Sequence, residues 1–443
     1  MSFAATAAGT SKSERSRMGT LFREFGLGLL LFGLSYNLVF SAMPQLSSAR
    51  IALLVIAFLY TRLAIDAWSD FVQAHTITVV VVLGALCYSF VLSVTSGDWG
   101  QTSRLFHFVA YSLLGSAIWV VIEQGSASAF AKRFAAVATV QSVFIFVSLF
   151  SAAYRSWLSA VLVRGGNIPL ESALRPAGLT NSGGAFLSVV QALGVFAALQ
   201  AATTSSGRER NGWHLAAFLC LCSALVSGRT GLMMALAFIL IFALTGQGAR
   251  ASLFWAILIG VGLAFVLGPT IIGLLRERIP EFDFLSRWAT EIFLRGHETG
   301  SWSDLKHMPV PSLSSDTFAG TGRITAAGGN ASGNDSGYVQ TYFALGLPMT
   351  LLFYAALFAT GAALTAKSQS PATVGVLFLA MALIEVKEPF IFKYTYPFFF
   401  LTSAALSVSP VAAPWLRKKP GFTLPRQASS RTPPRPFGPY EST

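Results

Sequence analysis

Charge is what this chain has least of. Acidic and basic side chains make up only 11% of the 443 residues, while hydrophobic residues reach 53% and phenylalanine alone fills 37 positions. Soluble domains carry about a quarter charged residues, so this balance excludes a soluble globular fold. Cysteine is nearly absent. Cys87, Cys220 and Cys222 all fall in apolar stretches, where a thiol behaves as a small hydrophobe, and the Cys-x-Cys spacing lacks partner ligands for zinc. Neither a disulfide framework nor a metal site is expected. The five histidines, His75, His107, His214, His297 and His307, form no HExxH-like cluster. A Gly-rich nucleotide loop, a GxSxG elbow and an internal repeat are also missing, and no cofactor is expected.

What is present is a series of apolar runs, each approaching the length of about 20 residues that a helix needs to cross hydrocarbon. Solid runs such as Thr76 to Thr95 lack the alternation of a membrane β-barrel. The expected fold class is all-α, a polytopic integral membrane protein with about 12 transmembrane helices and one large external loop. Breaks at charges and at Gly/Pro clusters place spans near 25–45, 50–66, 76–96, 104–122, 134–153, 183–203, 212–227, 230–246, 251–275, 337–363, 372–386 and 389–409. Residues 212–246 would exceed one bilayer as a single helix, so two are expected there. The division that follows is a cytoplasmic tail 1–24, an N-terminal bundle 25–275, a large external loop 276–336, C-terminal helices 337–409 and a basic tail 410–443.

Lys and Arg set the orientation. With both termini inside, 17 of the 31 basic residues are cytoplasmic and 14 external; setting aside the six in the long loop, which translocates largely regardless of charge, leaves 8 outside. Residues 1–24 lack an apolar core with a cleavage site and read as a tail before a retained span. From Pro410 onward, eight prolines and six basic residues against one acid predict a disordered tail near anionic headgroups. The net charge of +12 owes much to these ends, and nucleic acid is rejected as a partner. A multi-pass membrane protein with both termini cytoplasmic is expected.

The external charges carry the functional signal. Between spans five and six, Arg155, Arg164 and Arg175 face only Glu171. A guanidinium pairs bidentately with phosphate, so arginines held near the interface could grip a lipid pyrophosphate; contact with headgroups or loop carboxylates is the plainer alternative. Arg229 lies in Ser227-Gly228-Arg229-Thr230-Gly231, which joins two apolar runs almost without a spacer. Burying Arg at the bilayer centre costs about 2.5 to 3.5 kcal/mol, so such a residue snorkels, pairs or lines a wet cavity. In the long loop, Ile279, Phe282, Leu285, Trp288 and Ile292 recur at helical steps and suggest an amphipathic platform. Residues 312–336 turn to Ser, Thr, Gly and Asn, a composition expected to stay mobile until something binds.

The Ser227–Gly231 motif, Arg175-Pro176-Ala177-Gly178-Leu179, and Asp335-Ser336-Gly337-Tyr338-Val339-Gln340 running into Ala344-Leu345-Gly346-Leu347-Pro348 resemble the O-antigen ligase and polymerase superfamily. The resemblance covers roughly residues 25–409. It implies a place in the bacterial inner (cytoplasmic) membrane and glycosyl transfer outside it, from an undecaprenyl-pyrophosphate carrier to a sugar hydroxyl, without metal or nucleotide sugar. Ligases place a His-x-His-Asn type element before the Tyr-x-Gln stretch; here Asp335 and Ser336 stand instead, which favours a polymerase of lipid-linked repeat units for an O-antigen, capsule or exopolysaccharide. The implied partners are the lipid-linked oligosaccharide, the bilayer, and a chain-length regulator and flippase of the same pathway.

That reaction needs a stabilised diphosphate leaving group and a deprotonated hydroxyl. Arg175 and Arg229 are the expected grip, with Arg323 a further candidate. Asp335 is the candidate base or hydroxyl-aligning group, and His297 and Glu298 are alternative bases. Asn-Asp-Ser before a helix is also an ordinary capping sequence. Tyr338 and Tyr342, one turn apart, could stack on sugar rings or belong to an interfacial aromatic belt. A ligase, a transporter or flippase of lipid-linked sugars, and a non-catalytic assembly component are the alternatives.

Overall fold

The computed structural model describes residues 21–123, 126–163, 170, 175–181, 183–245, 308–326 and 329–408. The expected span 251–275, the amphipathic segment 276–296, His297 and Glu298 lie outside the described residues. Among those described, the chain is mostly helical, and five helices are long and apolar enough to cross a membrane: Thr76–Ser96, Gly100–Ile122, Ala127–Phe150, Ala185–Thr203 and Leu347–Lys367. In chain order these are α4, α5, α6, α8 and α13. Before them come α1 (21–36), α2 (Ser48–Leu59) and α3 (Thr61–Ala74), and α7 is Ala152–Val161. Next stand α9 (Gly207–Ser227), α10 (Arg229–Leu244) and the short α11 (Ser315–Ala319). The last helices are α12 (Gly337–Leu345), α14 (Pro371–Glu385) and α15 (Thr395–Ser407). One small antiparallel hairpin pairs β1 (Thr325–Ala326) with β2 (Gly329–Asn330).

An all-round apolar helix must be buried, and α8 is the central one: it packs against α6, α9 and α10 and is 83% buried over its most apolar window. By contrast α4 is only 33% buried there, and large side chains such as Phe58, Ile77, Phe90, Phe218 and Met233 face outward. An outward surface of that kind suits lipid rather than water, and it fits a multi-pass all-α membrane protein. Inside, Phe399 of α15 meets Phe134, Phe130 and Phe196 at centroid distances of 4.4, 5.5 and 6.0 Å, which ties α15 to α6 and α8. Each such pair contributes about 0.5–1.5 kcal/mol beyond burial. A polar knot crosses the same region: the fully buried Gln191 accepts from Ser142 and Ser223, each at 3.1 Å, and donates to the Tyr36 hydroxyl at 3.2 Å. Four helices share those bonds, the kind of glue apolar surroundings favour.

Several expected spans are broken. The first helix ends at residue 36, before Asn37 at φ 44°, and the chain then forms bridges Val39 to Ser47 and Phe40 to Leu162. Span 50–66 is two helices meeting at Tyr60. Span 337–363 is cut at Gly346, whose φ of 81° ends α12, and Pro348 favours a fresh first turn for α13. The last span starts at Thr395 rather than 389, so residues 386–394 form a turn. Within residues 312–336, where described, the chain holds a capped α11 and the hairpin. The cause is a set of backbone bonds from Thr321 and Gly322 to the carbonyls of Phe343 and Ala344, both 3.0 Å.

Charged groups gather at the two ends of the bundle. At one, Arg133 pairs with the buried Glu123 and, at 2.5 Å, with Glu24, and Lys132 meets Glu209 at 2.7 Å. The starts of α8 and α10, the Arg175 segment and the turn after α14 form the other.

Candidate functional site

Two helices begin side by side at that second end. Gly184 is the residue before α8 and Gly228 the residue before α10, and neither start has a side-chain cap. Gly184 has φ 91°, open to glycine but strained for other residues. A Cβ on Gly231 would overlap the Ser188 carbonyl of α8, and the Gly231 amide donates to Ser188 Oγ at 3.1 Å. Glycine in the Ser227–Gly231 motif is thus a close-packing device, and it sets Arg229 on the first turn of α10 against the start of α8.

Arg175 reaches the same place from the loop before α8. Its backbone is left-handed at φ 56°, a rare state for a non-glycine residue, and there is no room for a Cβ on Gly183 beside its carbonyl. Its Cδ and Nη1 lie 3.8 and 3.9 Å from where a Gly184 Cβ would stand. The residues behind it are held in the bundle by the buried Gln141, which donates to the Ala177 carbonyl at 3.1 Å and accepts from the Leu179 amide at 3.2 Å. Tyr154 adds a bond to the Gly178 carbonyl at 3.1 Å. The two arginines singled out in the sequence therefore both stand at the paired helix starts.

Lys387, in the turn after α14, completes the cluster by donating to Thr230 Oγ1 at 3.0 Å. Burial pushes its ammonium below the ordinary lysine value; Glu388 opposes that, Arg175 and Arg229 add to it, and Asp335 opposes it. Two further cations and two carboxylates, Glu388 and Asp335, thus lie within electrostatic reach of Lys387.

Asp335 itself is exposed, and Asn330 Nδ2 donates to its Oδ1 at 2.7 Å. It does not cap α12, whose start at Ser336 has no side-chain cap; Asn334 Oδ1 instead takes the Ser336 amide at 2.8 Å. The backbone of Asp335 is fixed from below. Gln340 Nε2 donates to the carbonyls of Asn334 and Asp335 at 3.2 and 3.0 Å, while its Oε1 accepts from Arg104 at 3.0 Å. Arg104 only donates and a carbonyl only accepts, so one amide orientation satisfies all three bonds. Beside this chain the fully buried Glu385 accepts from the Tyr354 hydroxyl at 2.8 Å and the Ile391 amide at 2.7 Å, joining α13 to the turn that carries Lys387.

Other expected residues stand apart. Arg323 is exposed and lines a separate cleft with Asp98 and Trp99. Tyr338 donates to the Ala382 carbonyl at 2.9 Å and packs on Tyr354 at 4.7 Å; with Tyr342 it lines an apolar groove of α12 and α13. Among the described residues, no group of three or more His, Cys, Asp or Glu gathers in a geometry able to hold a metal.

No protein-family model matches the chain, and neither a curated protein nor a solved structure shows significant similarity to it. The reading therefore stands on geometry. Three cations beside the first turns of two helices offer a site for a compact, multiply charged anion. Lys387, Arg104 and Glu385 were not singled out in the sequence, yet a signal existed: between Pro371 and Ser407 the only charged residues are Glu385, Lys387, Glu388 and Lys393. Charges that sparse in an apolar stretch mark a turn or a site.

Proposed function

We propose that this chain is a membrane glycosyltransferase of the oligosaccharide-repeat polymerase kind, working without metal or nucleotide sugar at the periplasmic face. It would be a protein of the bacterial inner membrane with about 12 spans, both termini cytoplasmic and the loop 276–336 external, sharing its pathway with a flippase and a chain-length regulator. The observation that carries this reading is the meeting of Arg175, Arg229 and Lys387 at two adjacent helix starts, with Asp335 within their field.

In this reading the acceptor sugar hydroxyl of one lipid-linked repeat attacks the anomeric carbon of a glycan on undecaprenyl pyrophosphate. The new carbon–oxygen bond forms as the bond to the diphosphate breaks. The electron pair leaves on the diphosphate oxygen, where the two guanidiniums and the ammonium stabilise the developing charge. The hydroxyl proton passes to Asp335 or, with Asp335 only aligning the hydroxyl, to the departing diphosphate. An exposed carboxylate is a weak base at neutral pH, so the aligning role asks less of it.

The test is complementation of a deletion strain. Loss of the gene should leave single repeat units on the surface, and wild type should restore the polymer ladder; undelivered full-length chains would indicate a ligase instead. Arg175→Ala, Arg229→Ala and Lys387→Ala should each slow chain extension by about 100- to 1000-fold, the range for removing one preorganised donor from developing negative charge. Normal ladders from both arginine variants at wild-type protein level would overturn the reading.

A further inference from the structure

A second cleft opens at the same end of the bundle, with a volume of about 580 Å³, lined among others by Asp98, Trp99, Arg323, Thr325, Ala331 and Phe343. That size lies within the range of roughly 300–1,000 Å³ typical of small-ligand sites. Its wall is prebuilt. Asp98 Oδ1 accepts from the Gly100 amide at 2.8 Å, and Oδ2 takes the Ile324 amide, the Thr325 amide and the Thr325 hydroxyl at 2.8, 2.9 and 2.7 Å. Burial raises this carboxyl, but the amides and the hydroxyl outweigh it and hold it at about 2, so the clamp stays charged at any physiological pH.

With Asp98 consumed as structure, the faces left for a ligand are an indole, a guanidinium and hydroxyls. Trp99 is 50% exposed, and its ring is set edge-on against Phe90 at 5.3 Å and 71°. Arg323 is exposed beside it. With the Asp98 carboxylate taken up by its four bonds, Arg323 is the one charged group left among the lining residues named, so the cleft is unlike the three-cation cluster and suits a polar ligand of little charge. A pyranose has that chemistry, with a C–H face for the indole and hydroxyls for planar donors and acceptors.

The cleft is also wired to Asp335. Thr325 pairs across the hairpin with Asn330, and Asn330 Nδ2 donates to Asp335 Oδ1 at 2.7 Å. One strand spacing, about 5 Å, therefore separates the cleft wall at Thr325 from Asn330, whose side chain holds Asp335.

We infer that the Trp99–Arg323–Thr325 cleft is a saccharide subsite that holds the acceptor glycan, with Trp99 stacking one ring and the hairpin aligning the chain toward Asp335. This rests on the glycosyl-transfer reading and names where that reaction's sugar sits. Arg323 is then a sugar-binding residue rather than part of the diphosphate grip.

The experiment uses the full chain in lipid nanodiscs and, as probe, the oligosaccharide repeat released by mild acid from the host's lipid-linked pool. Saturation-transfer NMR should detect binding to wild type and equally to Arg229→Ala, since the probe has no diphosphate. Trp99→Ala should weaken binding about ten-fold or more, and Trp99→Phe should keep most of it. No binding to wild type, or unchanged binding to Trp99→Ala, overturns the subsite and leaves Trp99 as a headgroup anchor. The two readings separate cleanly. Polymer made normally by both Arg175→Ala and Arg229→Ala while Trp99→Ala loses the probe would sink the transfer mechanism and support the subsite; polymer lost in both arginine variants with Trp99→Ala still binding would sink the subsite alone.

Discussion

Asp335 shows what a single side chain leaves open in sequence. Asn-Asp-Ser before a helix allows a cap at any of three positions, and only geometry assigns the bond: Asn334 takes the Ser336 amide, and the Asp335 carboxylate is left to Asn330. Asp335→Asn keeps an oxygen for Asn330 and removes only the charge. The expected outcome is a fall in chain extension of about 100-fold or more at unchanged membrane level, read from polymer ladders and tagged protein. Full activity would show that the charge is not used. Arg229 stood out because apolar flanks make a guanidinium costly, so its presence needs a reason, and Arg175 because its loop carries more basic than acidic residues where positive charge is disfavoured. Lys387 was not, because residues 389–394 read as the start of a helix, which hid the turn that lets its side chain reach Thr230. Arg104 met the same fate: at the edge of an apolar span it passes for an interfacial charge, and its bond to Gln340 joins residues 236 apart.

At the scale of helices, periodicity and length located α4, α8 and the α9–α10 pair, because long uninterrupted apolar runs have few alternatives. Breaks at Tyr60 and Gly346 were invisible for a different reason: an apolar run continues through them, and only backbone geometry ends the helix. The same contrast governs glycine. Gly231 and Gly212 both look like helix-weakening residues, yet a Cβ on Gly231 would overlap the Ser188 carbonyl, whereas nothing lies within 4 Å of one on Gly212. Gly231→Ala should therefore destabilise by about 1–3 kcal/mol through overpacking. Gly212→Ala, on the exposed flank of α9, should be neutral or stabilise by about 0.5–1 kcal/mol. Thermal unfolding in detergent, followed by size-exclusion chromatography, reads both; equal midpoints would mean that α8 and α10 do not touch at this glycine. Polymer synthesis should fall with Gly231→Ala beyond the loss of protein, since Arg229 rides on the same turn.

For the whole molecule, composition alone determined the class, because no soluble core can bury a 53% apolar chain of so little charge. Packing order was beyond it: which helix lies at the centre depends on who meets whom, and α8 differs from α4 by neighbours more than by hydropathy. Sidedness joins the two levels. The end with Glu123, Lys132, Arg133 and Glu209 pairs its charges among themselves, whereas at the opposite end Arg175, Arg229 and Lys387 gather within reach of Glu388 and Asp335. Positive charge favours the cytoplasmic side, so in the proposed orientation these cations stand outside against that bias, and the proposed anionic ligand of the outer leaflet would help to offset it. The orientation can be read chemically in a chain whose Cys87, Cys220 and Cys222 are replaced by alanine. Asp316→Cys, exposed beside the hairpin, should react with a membrane-impermeant maleimide on intact spheroplasts, and Thr203→Cys, exposed at the other end, only after lysis. The reverse pattern would put the cationic cluster in the cytoplasm, where nucleotides and free phosphates compete for it, and a lipid diphosphate presented from outside could no longer be its ligand.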